Sequence, residues 1–172
     1  MNIIITCPRN LEEKAVKEIS VFIKEIGGSD PEIFSVNLSG IFILDTNIKP
    51  TELIKKLRKK IDDEPWSIRF CSRLIPIQSI VESELELIKQ EVSKLNVINA
   101  TDTFRITVEN RNSSLSSSTI ISEIAEDIPN KVSLEKPDWE IIIEIIGNKT
   151  GISILPKNSI LSVEKTKRDL SN

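Results

Sequence analysis

Histidine and tyrosine are both missing from the 172 residues of this sequence. Imidazole is the commonest general base in enzymes and a frequent metal ligand, so the absence of histidine excludes most familiar catalytic triads and zinc sites. Carboxylates and lysines remain as catalytic groups, but the sequence shows no paired arrangement of them. The acidic clusters at 62–64 and 82–86 lack the spacing of a metal-binding loop. No catalytic residue and no metal site is therefore predicted.

Cysteine is also scarce, and Cys7 and Cys71 are the only two. They lie far apart in a chain whose first residues lack the basic start and cleavage site of a signal peptide. A disulfide framework is therefore not predicted, and a reducing cytoplasm is the expected setting. No histidine is available to generate a thiolate at either residue. We interpret both as small buried hydrophobic side chains.

Long apolar runs are lacking as well. The segment Ile141–Ile146 is interrupted by Glu144 and falls far short of the roughly 20 residues that cross a bilayer, so no membrane partner is expected. Hydrophobic residues make up 39% of the chain, which is enough to build a core and argues against disorder. A chain of this length holds one large domain or two small ones.

The first half of the chain alternates short apolar runs with amphipathic stretches. Residues 2–6 predict a strand. Apolar positions from Leu11 to Ile26 mark one face of a helix, and Asn10 with Glu13 predicts a capping box at its start. The other segments are strands at 33–36 and 41–44, a second helix that starts near Pro50, and an extended run at 67–79.

This order of strand, helix, strand, strand, helix and strand is typical of the ferredoxin-like arrangement, an antiparallel sheet with two helices on one face. We therefore assign residues 1–78 to a ferredoxin-like N-terminal domain and residues 79–172 to a second domain. No Gly-rich or Ser-rich linker separates them, so we expect the two halves to form one rigid body. The predicted fold class is α+β, with the ferredoxin-like unit packed against the second domain.

The second half begins with helical spacing at 85–95. Apolar and polar residues then alternate from Phe104, which predicts a half-buried strand, and a short helix follows around 120–128. The run Ile141–Ile146 is too apolar for a strand with one wet face, so we place it at the centre of a sheet. Trp139 is interpreted as an anchor at the entry of this strand. Residues Gly147–Gly151 predict a turn to a returning strand at 152–155.

Several short groups of residues in this half stand in a recognisable order. They are Phe104-Arg105-Ile106, Arg111, Pro137-Asp138, Glu144-Ile145-Ile146-Gly147 and Gly151-Ile152-Ser153-Ile154. Together with the intervening helix, they resemble the THUMP domain of tRNA-modifying proteins. The resemblance implies an α/β RNA-binding domain. Serines stand at 113–114 and 116–118, where relatives often carry more basic residues.

Among proteins with this domain, the chain is most similar to the stand-alone adaptor of tRNA cytidine acetylation, because nothing catalytic follows Leu155. The resemblance implies a cytoplasmic protein that is not an enzyme and that holds the acceptor end of tRNA for a separate RNA cytidine acetyltransferase. It implies no cofactor, because acetyl-CoA would belong to the partner. Two alternatives stay open: an RNA-binding subunit of an enzyme that transfers methyl groups or sulfur to tRNA, and a protein-interaction scaffold. No G-x-G-x-x-G, P-loop or C-x-x-C motif favours a complete enzyme.

The net charge of −3 is unfavourable for a protein that coats nucleic acid, so RNA binding requires a local concentration of positive charge. The resemblance points to these RNA-contacting residues: Arg105, Arg111, Asn112, Lys149, Lys157, Lys165, Lys167 and Arg168. If the strand and hairpin pack as predicted, Arg105 and Lys149 share a surface with the C-terminal cations. The alternative for that C-terminal group is a frayed basic end. Aromatic residues are few, so recognition of shape and phosphate suits the chain better than base stacking.

A second basic group lies on the predicted helix that begins near Pro50. Its members are Lys55, Lys56, Arg58, Lys59 and Lys60. Leu57 and its apolar helix-mates point inward in this prediction, which leaves the cations on an exposed face. They form either a secondary RNA patch that binds phosphates, or a solvated face whose lysines compensate the helix dipole.

Overall fold

A computed structural model describes residues 2–172 of the chain. In chain order the elements are β1 (Asn2–Thr6), α1 (Glu12–Glu25), β2 (Glu32–Ser35), β3 (Ile41–Asp45), α2 (Pro50–Asp63), β4 (Arg73–Ile77), β5 (Ser79–Glu82), α3 (Leu85–Leu95), β6 (Phe104–Arg111), α4 (Ser117–Asp127), β7 (Trp139–Ile146), β8 (Lys149–Pro156), β9 (Leu161–Ser162) and α5 (Val163–Leu170). They form two compact units. The first unit contains the chain up to Pro76 together with Asn158–Asn172, and the second contains Ile77–Lys157.

The first unit has a five-stranded sheet with the order β2-β3-β1-β4-β9. β3 pairs antiparallel with both β1 and β2. Alternate residues of the strands, such as Ile3, Ile5 and Leu44, are fully buried in a core that also contains the apolar stripes of α1 and α2. The order β2-β3-β1-β4 is that of the ferredoxin-like arrangement, and the predicted α+β class is confirmed.

The C-terminal segment belongs to this first unit. β9 pairs with β4, and α5 packs against α2. Leu161 and Val163 are buried in the first unit's core, and the Arg58 guanidinium donates to the carbonyl oxygens of Asn158 (2.8 Å) and Ile160 (2.6 Å). The predicted second domain of residues 79–172 included this segment. The structure places this segment in the first unit instead, because Leu161 and Val163 bury their apolar side chains in the core of that unit.

The second unit has a four-stranded sheet with the order β5-β8-β7-β6. β7 lies in its interior, as its continuous apolar sequence predicted, with β6 parallel on one side and β8 antiparallel on the other. Ile141, Ile143 and Ile145 point from β7 into a core closed by α3 and α4, whose Ile88 and Ile124 are buried. The strand β6, the helix α4 and the strand β7 therefore form a βαβ unit.

Two local predictions in the first unit are wrong. Helix α1 begins at Glu12 rather than at an Asn10 cap, and Asn10 adopts φ of 64°. The Glu12 carboxylate accepts a hydrogen bond from the Gly40 N–H. Among residues 2–172 no side chain caps the start of α1, so the predicted capping box of Asn10 and Glu13 does not form. The extended run at 67–79 contains β4 only from Arg73, because the preceding residues form a loop.

The hairpin between β7 and β8 is tighter than predicted. Its loop is Gly147-Asn148, and Gly147 adopts φ of 59°. Thr150 and Gly151, which were placed in the turn, are buried within β8. A Cβ atom at Gly151 would lie 3.0–3.3 Å from the Ile77 side chain, so close packing accounts for this glycine. Among the described residues, no helix has the length and hydropathy needed to span a membrane.

Candidate nucleic-acid interface

Both predicted arginines of the second unit are paired with glutamates of the neighbouring strand. Arg105 and Arg111 lie on β6 and form salt bridges with Glu140 and Glu144 of β7. The Glu144 side chain is only 1% exposed, so its negative charge requires a cationic partner. Arg105 also donates to the Leu134 carbonyl oxygen at 2.8 Å. These contacts explain both arginines as structural groups and leave little unbalanced charge for a phosphate.

The other predicted residues of this unit lie near the strand ends. Lys149 is opposite Glu82 in the β5–β8 ladder and forms an exposed ion pair with it. Asn112 is exposed after β6 and adopts φ of 59°. Lys157 is exposed just after β8, and its charge contributes to lowering the pKa of Asp138. Over Ile77–Lys157 the chain has 8 Lys and Arg residues against 13 Asp and Glu residues, a net charge of −5. This unit is therefore not a cationic surface as a whole.

Asp138, from the Pro137-Asp138 pair, closes the entry of β7. Its carboxylate accepts from the Thr103 N–H (2.9 Å) and the Thr103 hydroxyl (3.0 Å). These bonds, led by the backbone N–H, lower the pKa of Asp138. Next to it, the Trp139 indole N–H donates to Asp102 at 2.9 Å, and Trp139 is half-buried at the strand entry as predicted.

The hydrogen bonds between Thr103 and Asp138 predict that Asp138 makes a pH-dependent contribution to the stability of the fold. Because the folded-state pKa of Asp138 is lowered, its contribution is present above the unfolded-state pKa and is lost as the pH falls through the folded-state value. Replacing Asp138 by asparagine should lower the melting temperature most at pH 5 and above. The difference between the two proteins should shrink toward pH 2. Thermal melts of both proteins across this range check the prediction, and a difference that does not depend on pH would contradict it.

The predicted C-terminal cations lie on α5 of the first unit and do not share a unit with Arg105 and Lys149. Lys165 is exposed. Lys167 instead donates to the Ile68 carbonyl oxygen, and Arg168 pairs with Glu164 at 2.9 Å. The alternative of a frayed basic end does not fit, because these residues form a regular helix that packs on α2.

The second basic group lies along the exposed side of α2. Four of its members have partners: Lys56 pairs with Glu52, Lys59 with Asp63 and Lys60 with Glu25, while Arg58 holds the loop before β9. Lys55 is exposed and, within residues 2–172, has no ion pair. Lys55, Arg58 and Lys59 line a groove of about 350 Å³, which Asn158 and Ser159 close on the other side. We call this the α2 groove.

Positive charge is concentrated in the first unit. It contains 15 Lys and Arg residues against 13 Asp and Glu residues, a net charge of +2, whereas the second unit carries −5. The groups of α2 and α5 that were predicted separately therefore belong to one unit and to two helices in contact. An anionic polymer is attracted to this unit more strongly than to the second.

The cysteines lie in the first unit and are both buried and unpaired. Burial raises the pKa of the Cys71 thiol, and the neighbouring Glu18 raises it further. The Cys7 pKa is raised by burial and by Glu12. Both thiols are therefore protonated near neutral pH and are poor nucleophiles. Among the described residues, no three His, Cys, Asp or Glu side chains come together as a metal site.

Residues 79–155 match the THUMP domain family. The matched range covers β5 to β8 and both intervening helices, so the predicted THUMP domain is present. No curated protein matches the chain.

Solved structures show the same fold over both units. PH1313 from Pyrococcus horikoshii Ot3 is 22% identical with a TM-score of 0.63, and the match covers 94% of this chain and 55% of that one. TrmN from Thermus thermophilus is 13% identical with a TM-score of 0.61, covering 89% and 44%. A 4-thiouridine synthetase, solved as a complex with RNA and bound ATP, is 14% identical with a TM-score of 0.53, covering 94% and 41%. The chain thus spans about half the length of these proteins.

The sequence predictions missed a second cationic area, beside α1. Lys14 and Lys17 of α1 and Arg69 of the loop before β4 surround a groove there. The spacing of Lys14, Lys17 and Val21 places them on one helical face, outside the apolar stripe, which is a signal that the sequence contained. The position of Arg69 depended on the fold of its loop and was not predictable.

Proposed function

We propose that this chain is a tRNA-binding adaptor that positions tRNA for cytidine N4-acetylation by a separate acetyltransferase. The observation that carries the RNA-binding part is the match of residues 79–155 to the THUMP domain. The similarity of the whole chain to a synthetase solved with RNA supports it. The acetylation step rests on the sequence resemblance described above.

In this proposal both units contribute to the grip on tRNA. The THUMP domain recognises the shape of the RNA and makes polar contacts through the exposed Asn112 and Lys157. Its two arginines, Arg105 and Arg111, are already paired with glutamates in salt bridges. The first unit supplies phosphate contacts from α2 and α5, where Lys55 and Lys165 are exposed. Phosphate contacts fix position and orientation without reading sequence.

Positioning is the whole contribution of the chain to the reaction in this proposal. A tRNA held at its acceptor end presents its other nucleotides at fixed distances, because the folded RNA is rigid. Binding of the acetyltransferase to the same adaptor then raises the effective concentration of the target cytidine at that enzyme. The chain itself holds no acetyl-CoA and performs no chemical step.

A second candidate is favoured by the similarity to the 4-thiouridine synthetase. Because the chain spans about half the length of such proteins, it would serve as the RNA-binding part of an enzyme that transfers sulfur or methyl groups to tRNA. The RNA contacts would be the same, and the partner and the reaction would differ.

Filter binding of labelled tRNA over a salt series tests the RNA-binding part. We expect the logarithm of the affinity to fall linearly with the logarithm of salt concentration, and the affinity to depend on an intact 3′ end. A tRNA without its 3′ terminal nucleotides is the matched control. Absence of binding at low salt would contradict the proposal and favour a protein-interaction scaffold.

The acetylation part needs a reconstituted reaction. The chain, an RNA cytidine acetyltransferase, acetyl-CoA and tRNA together should yield N4-acetylcytidine, while omission of the chain should abolish the product. Stimulation of a sulfur-transfer or methyl-transfer enzyme instead would support the second candidate. Turnover by the chain alone would overturn the adaptor role.

A further inference from the structure

The loop between α2 and β4 carries the most exposed aromatic side chain of the described first unit. Trp66 is 65% exposed, whereas Trp139 of the second unit is half-buried and hydrogen-bonded. Exposing an indole to water costs free energy that burial would recover, so such a residue is a candidate contact.

The loop that carries Trp66 is held in one conformation by Glu18 of α1. The Glu18 carboxylate accepts from the N–H groups of Arg69 (2.7 Å), Phe70 (3.0 Å) and Cys71 (2.9 Å). Lys167 of α5 donates to the carbonyl oxygen of Ile68, whose side chain is buried in the core. A loop fixed at this many points loses little conformational entropy when a ligand binds.

Cations surround this loop and are free to bind an anion. Arg69 is exposed and its Nε donates to the Trp66 carbonyl oxygen at 3.2 Å, which keeps its guanidinium beside the tryptophan's backbone. Lys14 lies over the Phe70 ring at 5.5 Å from the centroid, and Lys17 is exposed with no partner among residues 2–172. The groove also contains two carboxylates: Glu18, which accepts from the loop's N–H groups, and Glu25, which pairs with Lys60. Its four cations therefore outnumber its two carboxylates.

These groups line a groove of about 350 Å³ between α1 and the loop. Lys14, Lys17 and Arg69 line it, and Phe22 and Phe70 provide apolar surface, with Trp66 next in the chain to the lining residue Ser67. Free cations beside exposed aromatic and apolar surface match the chemistry of a nucleotide, which combines an anionic phosphate with a flat base. An apolar peptide would gain from the aromatic surface but would leave the cations without partners.

We propose that this groove, with Trp66 at its edge, binds a single-stranded segment of RNA by stacking a base on the Trp66 indole and pairing phosphates with Lys17 and Arg69. A base inside a duplex is already stacked and does not offer its face, so the site selects unpaired nucleotides. The inference rests on the proposed RNA-binding function and adds a contact in the first unit to those proposed for the THUMP domain, α2 and α5.

The test is binding of a 12-nucleotide single-stranded RNA and of a duplex of the same length, followed by fluorescence anisotropy. Replacing Trp66 by alanine should weaken single-strand binding roughly 5- to 150-fold, while phenylalanine should retain part of it. Duplex binding should change little. The Trp66→Ala exchange lies at an exposed position, so thermal melts should show an unchanged fold.

Phe34→Ala is the matched control. Phe34 is an aromatic residue of the same unit and is 47% exposed on β2. Glu32, two residues before it on the same strand, lies opposite Asp45 in the β2–β3 ladder. This acidic setting disfavours RNA, so the control should bind like the wild type. Tryptophan fluorescence gives a second readout, because single-stranded RNA should quench the wild type and not the Trp66→Phe variant.

The outcomes separate this inference from the proposed function. If Trp66→Ala binds single-stranded RNA like the wild type, or if the wild type binds none while still binding tRNA, the stacking site is overturned and the tRNA-binding proposal stands. If the wild type binds neither RNA, both fail. If Trp66→Ala loses only binding to the acetyltransferase, the groove is a protein-docking site and the inference is overturned.

Discussion

Reversing the charge of Lys55 and Lys165 together should weaken tRNA binding roughly 100-fold at 50 mM salt, about tenfold for each phosphate that is no longer neutralised. Both residues are exposed, and neither side chain has an ion pair within residues 2–172. Their replacement by glutamate therefore removes binding charge without breaking a structural interaction. The slope of log affinity against log salt concentration should also fall by about two. Filter binding over a salt series measures both quantities.

Lys165 alone is a better site for substitution than the whole C-terminal basic group. Lys167 holds the loop at Ile68, and Arg168 is paired with Glu164, so changing all three cations would mix folding and binding effects. The matched control reverses Lys131 and Lys136, which are exposed in the second unit and carry the same charge. Equal reductions in affinity for both double variants would show that only net charge matters, and would contradict a phosphate-binding surface on α2 and α5.

Replacing Glu144 by alanine should lower the free energy of unfolding of the second unit by about 3–5 kcal/mol. The Glu144 side chain is 1% exposed and pairs with Arg111, whose side chain is 24% exposed. Its removal leaves a guanidinium in a poorly solvated place without its counter-charge. Urea unfolding followed by the fluorescence of Trp139, in a Trp66→Phe background, reports on this unit because Trp139 begins β7.

Glu82→Ala is the control for that experiment. Glu82 also pairs with a cation of the same unit, Lys149, but the two side chains are 48% and 56% exposed. Water solvates both charges, so the free energy of unfolding should fall by only about 0–1 kcal/mol. A Glu144→Ala variant as stable as Glu82→Ala would show that the buried pair does not hold β6 and β7 together.

These pairs explain why the THUMP resemblance was easier to detect than the RNA contacts. Arg111 and Glu144 were among the residues that carried the resemblance, and in the structure they form a salt bridge between the parallel strands β6 and β7. A motif residue can thus be required by the fold. Sequence spacing alone showed two positive arginines and could not show that glutamates on a neighbouring strand balance them.

Elements with strong periodicity were predicted well. The apolar run of β7 required a central strand, and the amphipathic stripes of α1 and α2 required a common sheet face, because each buries one set of side chains. Local caps and turns were less predictable. Asn10 suits both a helix cap and a left-handed turn residue, and the structure uses it as the second.

The position of the C-terminal segment was the main tertiary feature outside the reach of sequence patterns. β9 has only two residues and α5 eight, too short for a clear periodic signal. Their location follows from long-range contacts: Leu161 and Val163 fill the first unit's core, and Arg58 binds the carbonyl groups just before them. The division of charge between the two units depends on this placement.

The return of the chain to its first unit has a consequence for synthesis on the ribosome. The THUMP unit is one continuous stretch, Ile77–Lys157, and all of its strands are available as soon as that stretch has emerged. The first unit must wait for Leu161 and Val163, which follow β4 only after the whole THUMP unit, before its interior is closed. We therefore expect the domain made second to reach its native state first, while the earlier one stays exposed to chaperones until residues 161–163 have also been made.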